Sequence, residues 1–237
     1  MSRVLIVNAD DFGLSSGVNR GVAQAHDEGI VTSTSAMVRR DAIEEAAQLA
    51  RERPGLCVGL HVDLSEWVYH EGEWVQLYEV VVAEDRAAVE AEVAAQLASF
   101  VSLFARQPTH LDSHQHRHLE GPVRSVVVET GRRLGIPVRS CTPGIAYRGD
   151  FYGQSGRGDP NPKAITVDAL LHLLSSLPEG VTELGCHPGT EPEGDSSYSS
   201  ERPVELEVLC DPRVKAAVKS EGIELLSFGE LSGSLGS

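Results

Sequence analysis

The sequence predicts an α/β fold in which parallel strands form a (β/α) barrel with helices on the outside. Short apolar runs rich in β-branched residues alternate with longer segments of helical spacing, as in a parallel sheet covered by helices. About seven or eight such strands fit within the 237 residues of the chain. This number favours a closed, seven-stranded or incomplete barrel over an open doubly wound sheet. We therefore expect residues 1–237 to form a single domain.

The first half of the chain begins with a buried strand and continues with the same alternation. The predicted strands are residues 3–8, 32–38 and 57–64. The predicted helices are residues 16–29, 41–54 and 85–106. Asp41 and Glu44 have the spacing of a capping box at the start of the second helix. The third helix has apolar residues at helical spacing along one face, namely Val89, Val93, Leu97, Val101 and Phe104.

The second half repeats the pattern around one long loop. The predicted strands are residues 109–113, 137–140, 182–187 and 223–227. The predicted helices are residues 121–134, 166–177 and 211–221. Residues 142–163 are rich in Gly, Pro and polar residues, which is typical of a loop.

The charge and hydropathy of the sequence indicate which binding partners and which location to expect. The net charge of −15 argues against nucleic acid or an anionic membrane as a partner. The apolar runs are too short to cross a bilayer, and the N-terminus enters a strand without a signal-peptide pattern. We therefore expect a cytoplasmic protein that does not bind membranes.

Acids and histidines follow the predicted strands at their carboxyl ends, where a barrel of this kind places its active site. These residues are Asp10, Asp11, His61, Asp112, His114, His116, His118 and His187. If the alternation of a strand continued, His114, His116 and His118 would share one face. The convergence of these groups predicts a hydrolytic metal site.

The residue types define a chemistry for that site. Two imidazoles and one carboxylate with positions left for water suit a divalent metal, and a second carboxylate can accept the proton of the water. Asp10 and Asp11 supply ligand and base, in an order that spacing does not decide, and His187 is the candidate acid. Both Asp side chains reach one site only if the chain turns there, which Gly13 permits.

Aromatic residues cluster beside the predicted site. Residues 66–78 hold both tryptophans and two of the five tyrosines, and Tyr147 lies in the long loop. Aromatic rings at a catalytic mouth can stack on sugar faces, which makes Trp67 and Tyr147 candidates for substrate contact. The alternative is that residues 66–78 form a β-hairpin packed on the barrel, or a dimer contact.

The motifs NADDFGLS, GLHVDL, THLDSHQHRH and CHPG resemble those of the YdjC family of carbohydrate deacetylases, which includes chitooligosaccharide deacetylases. The resemblance spans essentially the whole chain. It implies a (β/α) barrel related to the NodB-type polysaccharide deacetylases, and removal of acetyl groups from N-acetylated sugars with Mg²⁺ or Zn²⁺. One departure is Gln115, which stands where many relatives have His.

The resemblance also implies a role for each site residue. Asp11, His61 and His114 would be the metal ligands, Asp10 the general base and His187 the general acid. Apart from the resemblance, the positions of Asp112, His116, His118, Trp67 and Tyr147 in the sequence make them candidates for contact with the ligands or the substrate. A homodimer is expected from the resemblance alone.

Three alternatives to an N-acetyl sugar deacetylase stay open at this point. The first is another metal-dependent barrel hydrolase, either a phosphoesterase or a different amidase. The second is an iron oxygenase with two His ligands and one carboxylate, although such enzymes usually have all-β folds. The third is a non-catalytic sugar-binding protein with a degenerate site.

Overall fold

The structure is a computed structural model that describes residues 2–192 and 196–234. The strands in these residues are β1 (Arg3–Phe12), β2 (Ser33–Ala36), β3 (Cys57–Val62), β4 (Ser65–His70), β5 (Glu73–Glu79), β6 (Leu111–Ser113), β7 (Ile145–Arg148), β8 (Gly180–Cys186) and β9 (Ile223–Leu225). The helices are α1 (Ser16–Asp27), α2 (Ile43–Glu52), α3 (Arg86–Phe104), α4 (Gly121–Leu134), α5 (Val167–Ser175), α6 (Glu201–Cys210), α7 (Pro212–Ser220) and α8 (Phe228–Ser234).

Seven of the described strands form one parallel sheet in the order β6-β3-β2-β1-β8-β7, and β9 pairs with the first residues of β1. The sheet curls, and helices pack on its outer side. Beyond β6, a single bridge between Leu111 and Val138 continues the curl toward β7. This arrangement confirms the predicted α/β class and the incomplete (β/α) barrel with parallel strands.

Alternation along β1 separates the core from the axis of the barrel. Leu5, Val7 and Ala9 belong to the large core shared with the helices. Ile6 faces the other way, where Phe228 and Leu231 of α8 fill one end of the barrel. Because side chains two residues apart share a face, Asn8 and Asp10 follow Ile6 along the interior. The interior thus changes from apolar at one end to polar at the carboxyl ends of the strands.

The prediction of a strand at residues 137–140 is wrong. Only Val138 forms a bridge, and a tight turn follows at once, because Cys141 and Thr142 both donate their N–H groups to the Val138 carbonyl. The strand in this part of the chain is β7, which lies inside the predicted loop. Four residues are too few for a period to stand out from the surrounding Gly and Pro.

Two helix details also differ from the predictions. Asp41 and Glu44 form no capping box, since α2 is capped at Ala42 without a side-chain hydrogen bond. In α3, Gln96 and Phe100 are buried instead of Leu97 and Val101, which are only half-buried. Gln96 is drawn inward because its amide bonds both the N–H and the carbonyl of Asp63.

Helix α3 is an exception to the expectation that no segment is long and apolar enough to cross a bilayer. It has 19 residues, and its most apolar 18-residue window has a mean hydropathy of 1.4. In the structure, Val89, Val93, Phe100 and Phe104 are buried, and the helix contacts β3 and α4. Length and composition alone do not distinguish such a packed helix from a membrane span.

Protonation of His110 is expected to destabilise the fold in mild acid. His110 is buried and its ring stacks on Phe228, with 3.9 Å between ring centroids. This burial lowers the pKa of His110 from 6.5 to about 4. The unfolded chain therefore binds the proton first, so stability is full above pH 6.5 and is lost as the pH falls toward 4. The shift corresponds to ~3 kcal/mol.

Replacement of His110 by Leu removes this titration. We expect the pH dependence of the unfolding free energy, measured in urea between pH 8 and pH 4.5, to be shallower in His110→Leu than in the wild type. At pH 8 His110 is neutral, so a difference in unfolding free energy between the two proteins at that pH comes from the change in packing. Parallel curves for the two proteins would show that His110 does not carry the acid sensitivity.

Candidate metal centre and active site

The two aspartates at the end of β1 reach the same side of the sheet because the strand is irregular there. The register of β1 against β2 shifts between Ala9 and Phe12, and Asp11 has a left-handed backbone with φ of +68°. Asp is among the few residues that adopt this conformation readily. Gly13, with φ of +97°, completes the turn, and a Cβ there would lie 2.8 Å from Ile43 Cδ1. The turn expected at this motif therefore begins at Asp11 itself.

Asp11, His61 and His114 converge on one point. Asp11 Oδ1 lies 3.3 Å from His61 Nε2 and 3.3 Å from His114 Nδ1. One ligand atom from each of the three residues lies within 4.8 Å of the others. Asp11 Oδ1 is buried and has no hydrogen-bond partner in the described residues. An orphaned carboxylate oxygen between two imidazole nitrogens fits a divalent cation.

The neighbours of His61 fix which of its ring nitrogens faces this point. Asp112 Oδ1 accepts a hydrogen bond from His61 Nδ1 at 2.8 Å, and Ser35 Oγ donates to Asp112 Oδ2 at 2.8 Å. A proton on Nδ1 leaves the lone pair of Nε2 directed at Asp11. This is the arrangement in which a carboxylate orients a metal-binding histidine.

Arg202 holds the second oxygen of Asp11. Its Nη2 donates to Asp11 Oδ2 at 2.7 Å, and its Nε donates to the carbonyl of Tyr198 at 2.8 Å. Arg202 is buried on α6, a helix that was not predicted. Its pairing leaves only Oδ1 of Asp11 directed at the two histidines.

The charges around this point favour a cation. Burial alone would raise the pKa of Asp11, but Arg202 and the two imidazoles hold it well below its usual value. Burial alone would lower the pKa of His114, yet the adjacent carboxylates of Asp11 and Glu66 raise it to about 9. Likewise Asp112 and Asp11 raise the pKa of His61 against its burial. The protons that the imidazoles attract are those that a divalent ion would displace.

Asp10 belongs to a separate buried network centred on Arg139. Arg139 Nη1 and Nη2 donate to the two oxygens of Asp10 at 2.5 and 2.7 Å. Nη2 also lies 2.8 Å from Asp112 Oδ2, and Nε donates to Glu183 at 2.6 Å. Against its burial, Arg139 lowers the pKa of Asp10, whereas burial raises the pKa of Glu183 to about 7. Asp10 is thus ionised at neutral pH.

His187 lies across from Asp10, among aromatic rings. Its Nε2 is 3.8 Å from Asp10 Oδ2, and its backbone N–H donates to Glu205 at 2.5 Å. Tyr198 donates its hydroxyl to Glu205, and Tyr152 stacks on Tyr198 with 4.3 Å between centroids. Both rings also contact the His187 ring, at 5.2 Å between centroids. Burial lowers the pKa of His187 to about 4, so its imidazole is neutral at pH 7.

The expectation that His114, His116 and His118 share one face is wrong. These residues lie in a short 3₁₀ segment, His114–Leu119, in which Gln115 and His116 have left-handed backbones. His118 turns inward, where its ring nitrogens contact Ser113 Oγ at 2.7 Å and the Arg139 carbonyl at 3.1 Å. His116 points toward Tyr147, whose hydroxyl is 3.5 Å from His116 Nε2. Only His114 reaches Asp11.

A cavity of about 820 Å³ opens onto these groups. Strands β4 and β5 form a hairpin on one side of it, as one of the two alternatives predicted, and residues 149–158 form the other side. Trp67 and Tyr147 both line the cavity. The Tyr147 hydroxyl sits against Gly185, where a Cβ would lie 2.6 Å away, so only glycine admits the ring.

Arg139, Glu183, Arg202 and Glu205 were not identified from the sequence. Arg139 lies within residues 137–140, which were predicted to form a strand. A charged residue in a predicted buried strand was the signal that could have identified it. Arg202 lies 191 residues from Asp11 along the chain, and Glu205 lies 18 residues from His187 on an unpredicted helix. No spacing rule connects residues so far apart.

Comparison with known proteins places the chain in a family. The sequence model of the YdjC-like proteins matches residues 4–220. A carbohydrate deacetylase from Geobacillus stearothermophilus is 36% identical over 97% of this chain and 98% of its own length. A chitooligosaccharide deacetylase from Klebsiella pneumoniae (strain 342) is 33% identical over 98% of this chain and 100% of its own length.

Solved structures agree with this assignment. A protein of Enterococcus faecalis V583, with a proposed role in cellobiose-phosphate cleavage, matches with a TM-score of 0.78 and 28% identity. The match covers 98% of this chain and 99% of that protein. A family 4 carbohydrate esterase from Streptomyces lividans matches with a TM-score of 0.55 and 14% identity, over 95% and 91%, and shares the fold. The chain belongs to the YdjC family.

Proposed function

We propose that the protein is a metal-dependent hydrolase that removes the N-acetyl group from an N-acetylated amino sugar or a short oligosaccharide of such sugars and releases acetate. The observation that carries this proposal is the convergence of Asp11, His61 and His114 at the floor of a large cavity, with Asp10 and His187 beside them. One domain, residues 1–237, would contain the whole site. The deacetylase relatives support the reaction type.

Asp11 Oδ1, His61 Nε2 and His114 Nδ1 would hold a divalent metal, Mg²⁺ or Zn²⁺. Such an ion, when bound, lowers the pKa of a water molecule and stabilises negative charge on the acetyl oxygen. Asp112 keeps His61 in the tautomer that presents Nε2, and Arg202 keeps Asp11 ionised and oriented. These contacts prepare the ligand set before any substrate arrives.

Asp10 is the candidate base, and His187 is the candidate acid. Arg139 holds Asp10 as a carboxylate, which can accept a proton from the attacking water at neutral pH. His187 is neutral at pH 7 and must gain a proton before it can donate one to the departing amine. Asp10 Oδ2 lies 3.8 Å from His187 Nε2 and faces it. The geometry therefore supports a path for the proton from Asp10 to the amine.

The cavity supports a sugar substrate better than a phosphate ester. Trp67, Tyr69 and Trp74 from the hairpin, with Tyr147 and Tyr152, supply aromatic surface of the kind that stacks on sugars. Cationic groups near the ligands already pair with carboxylates: Arg139 with Asp10, Arg202 with Asp11 and Arg117 with Glu120. A phosphoesterase would need such groups for its anionic substrate. A cytoplasmic location and a homodimer remain predictions.

Acetate release from N-acetylglucosamine, its oligomers and other acetylated sugars tests the proposal. Metal-free protein should release acetate only after a divalent ion is added. Asp10→Asn should reduce turnover ~10²–10⁴-fold, because the candidate base no longer accepts a proton. The same variant should still bind the ion, since Asp10 is not among the proposed ligands. Full turnover by Asp10→Asn, or acetate release by metal-free protein, would contradict this assignment.

A further inference from the structure

The hairpin of β4 and β5 is fastened to the segment that carries His114. Gln115, the residue after His114, accepts a hydrogen bond from the Trp67 N–H at 2.9 Å and donates one to the Trp67 carbonyl at 2.7 Å. The side-chain amide thus bonds β4 as a neighbouring strand would. The left-handed backbone of Gln115, with φ of +49°, aims the side chain at the hairpin instead of at the sheet.

The hairpin also brings a carboxylate to the outer side of the His114 ring. Glu66 Oε2 lies 3.8 Å from His114 Nε2, and Nε2 is buried without a hydrogen-bond partner among the described residues. Because Nδ1 faces Asp11, a neutral His114 that binds a metal through Nδ1 carries its proton on Nε2. Glu66 is the carboxylate that faces this proton, and a small movement that closes the 3.8 Å gap would give it the role that Asp112 has for His61.

The base of the hairpin is anchored on the barrel through Arg40. Arg40 Nε lies 3.2 Å from Asp63 Oδ2, and Arg40 Nη2 lies 3.7 Å from Glu66 Oε2. Tyr78, on β5, donates its hydroxyl to Asp63 Oδ1 at 2.5 Å, and Arg40 stacks over the Tyr78 ring. The hairpin is therefore held at its base by these contacts and at Trp67 by Gln115.

We propose that Glu66 and Gln115 are positioning residues that link the hairpin to the metal centre through His114, so that ion binding fixes the wall that contacts the sugar. The inference rests on the proposed function, because it assumes that His114 binds the ion. It adds two residues with separate tasks. Glu66 orients the ring of His114, and Gln115 fixes Trp67 relative to the same segment.

Tryptophan fluorescence can test this link between the hairpin and the metal centre. The two tryptophans of the chain, Trp67 and Trp74, both lie on the hairpin. Intrinsic tryptophan fluorescence thus reports the surroundings of the hairpin alone. Zn²⁺ has a filled d shell and no redox chemistry, so an emission change on its addition reflects the protein. Trp74→Phe leaves Trp67 as the only emitter and assigns the signal.

Metal-free protein should be titrated with Zn²⁺ by calorimetry and by fluorescence. We expect the wild type to bind one ion with a saturating emission change. Glu66→Ala should weaken binding ~10–100-fold, and Glu66→Gln should be intermediate because its amide oxygen still accepts the proton. Glu73→Ala, which removes the same charge from an exposed hairpin position, is the matched control and should bind Zn²⁺ like the wild type.

A separate variant tests Gln115. Gln115→Glu, which keeps the size of the side chain but loses the amide donor, should bind the ion with a reduced emission change.

These measurements distinguish a failure of this inference from a failure of the proposed function. Equal Zn²⁺ affinity in Glu66→Ala and Glu73→Ala would overturn the role of Glu66. A full emission change in Gln115→Glu would overturn the role of Gln115. In both cases the wild type would still bind the ion and release acetate, so the proposed function would stand. A wild type that binds no ion would overturn the proposed function and this inference together.

Discussion

Asp11→Asn is expected to abolish tight metal binding and to reduce acetate release by more than ~100-fold. Loss of a residue that only supports a metal ligand lowers metal affinity or activity by up to ~100-fold, and loss of a ligand itself should lower them further. The substitution keeps the shape of the side chain but removes the charge that two imidazoles face. It also leaves the buried Arg202 without its carboxylate, since Arg202 Nη2 donates to Asp11 Oδ2 at 2.7 Å. The measurements are bound metal per chain and the rate of acetate release.

A second variant separates loss of the ion from loss of the fold. His114 is half-buried at the cavity, whereas Asp11 is paired with a buried arginine. His114→Ala should therefore lose the ion and the activity with a smaller change in unfolding free energy than Asp11→Asn. Full activity with a bound ion in either variant would rule out the proposed ligand set.

The strand-end pattern predicted residues that the structure brings together, because a parallel barrel collects the carboxyl ends of its strands at one end. Asp10, Asp11, His61, His114 and His187 all lie at the cavity that the structure shows. The pattern did not show how they are held. Local spacing carries no information on a contact such as that of Arg202 with Asp11, which depends on where α6 packs.

The same limit explains the errors in the fold. Long helical segments such as α3 were predicted to within two residues at each end, although the buried face assigned to α3 was only partly right. Strand β7, with four residues, and helix α6, with a Pro and several acids, carry too little pattern. The histidines after β6 were misplaced for a related reason. Two consecutive left-handed residues, Gln115 and His116, end the alternation of the strand, and neither is a glycine.

Arg139→Met is expected to lower the free energy of unfolding by ~3–5 kcal/mol, the range for breaking a buried ion pair. Arg139 is fully buried and is the cation shared by Asp10, Asp112 and Glu183, whose charges would otherwise repel one another. Arg148→Met is the matched control. It removes an arginine that pairs with Asp150 near the surface, a type of pair that contributes at most ~1 kcal/mol.

The loss in Arg139→Met should depend on pH in a way that the control does not. Burial already raises the pKa of Glu183 to about 7, and removal of Arg139 raises it further because the guanidinium favours the charged form. A carboxyl with a raised pKa stabilises the fold below its unfolded value of 4.5 and loses that contribution as the pH rises. Urea unfolding should therefore show a smaller loss of unfolding free energy in Arg139→Met at pH 5 than at pH 8.

A double variant tests the part played by Glu183. Adding Glu183→Gln to Arg139→Met should recover part of the lost unfolding free energy at pH 8, because one buried charge has been removed. A deficit equal to that of Arg148→Met at both pH values would show that Arg139 does not hold these carboxylates together.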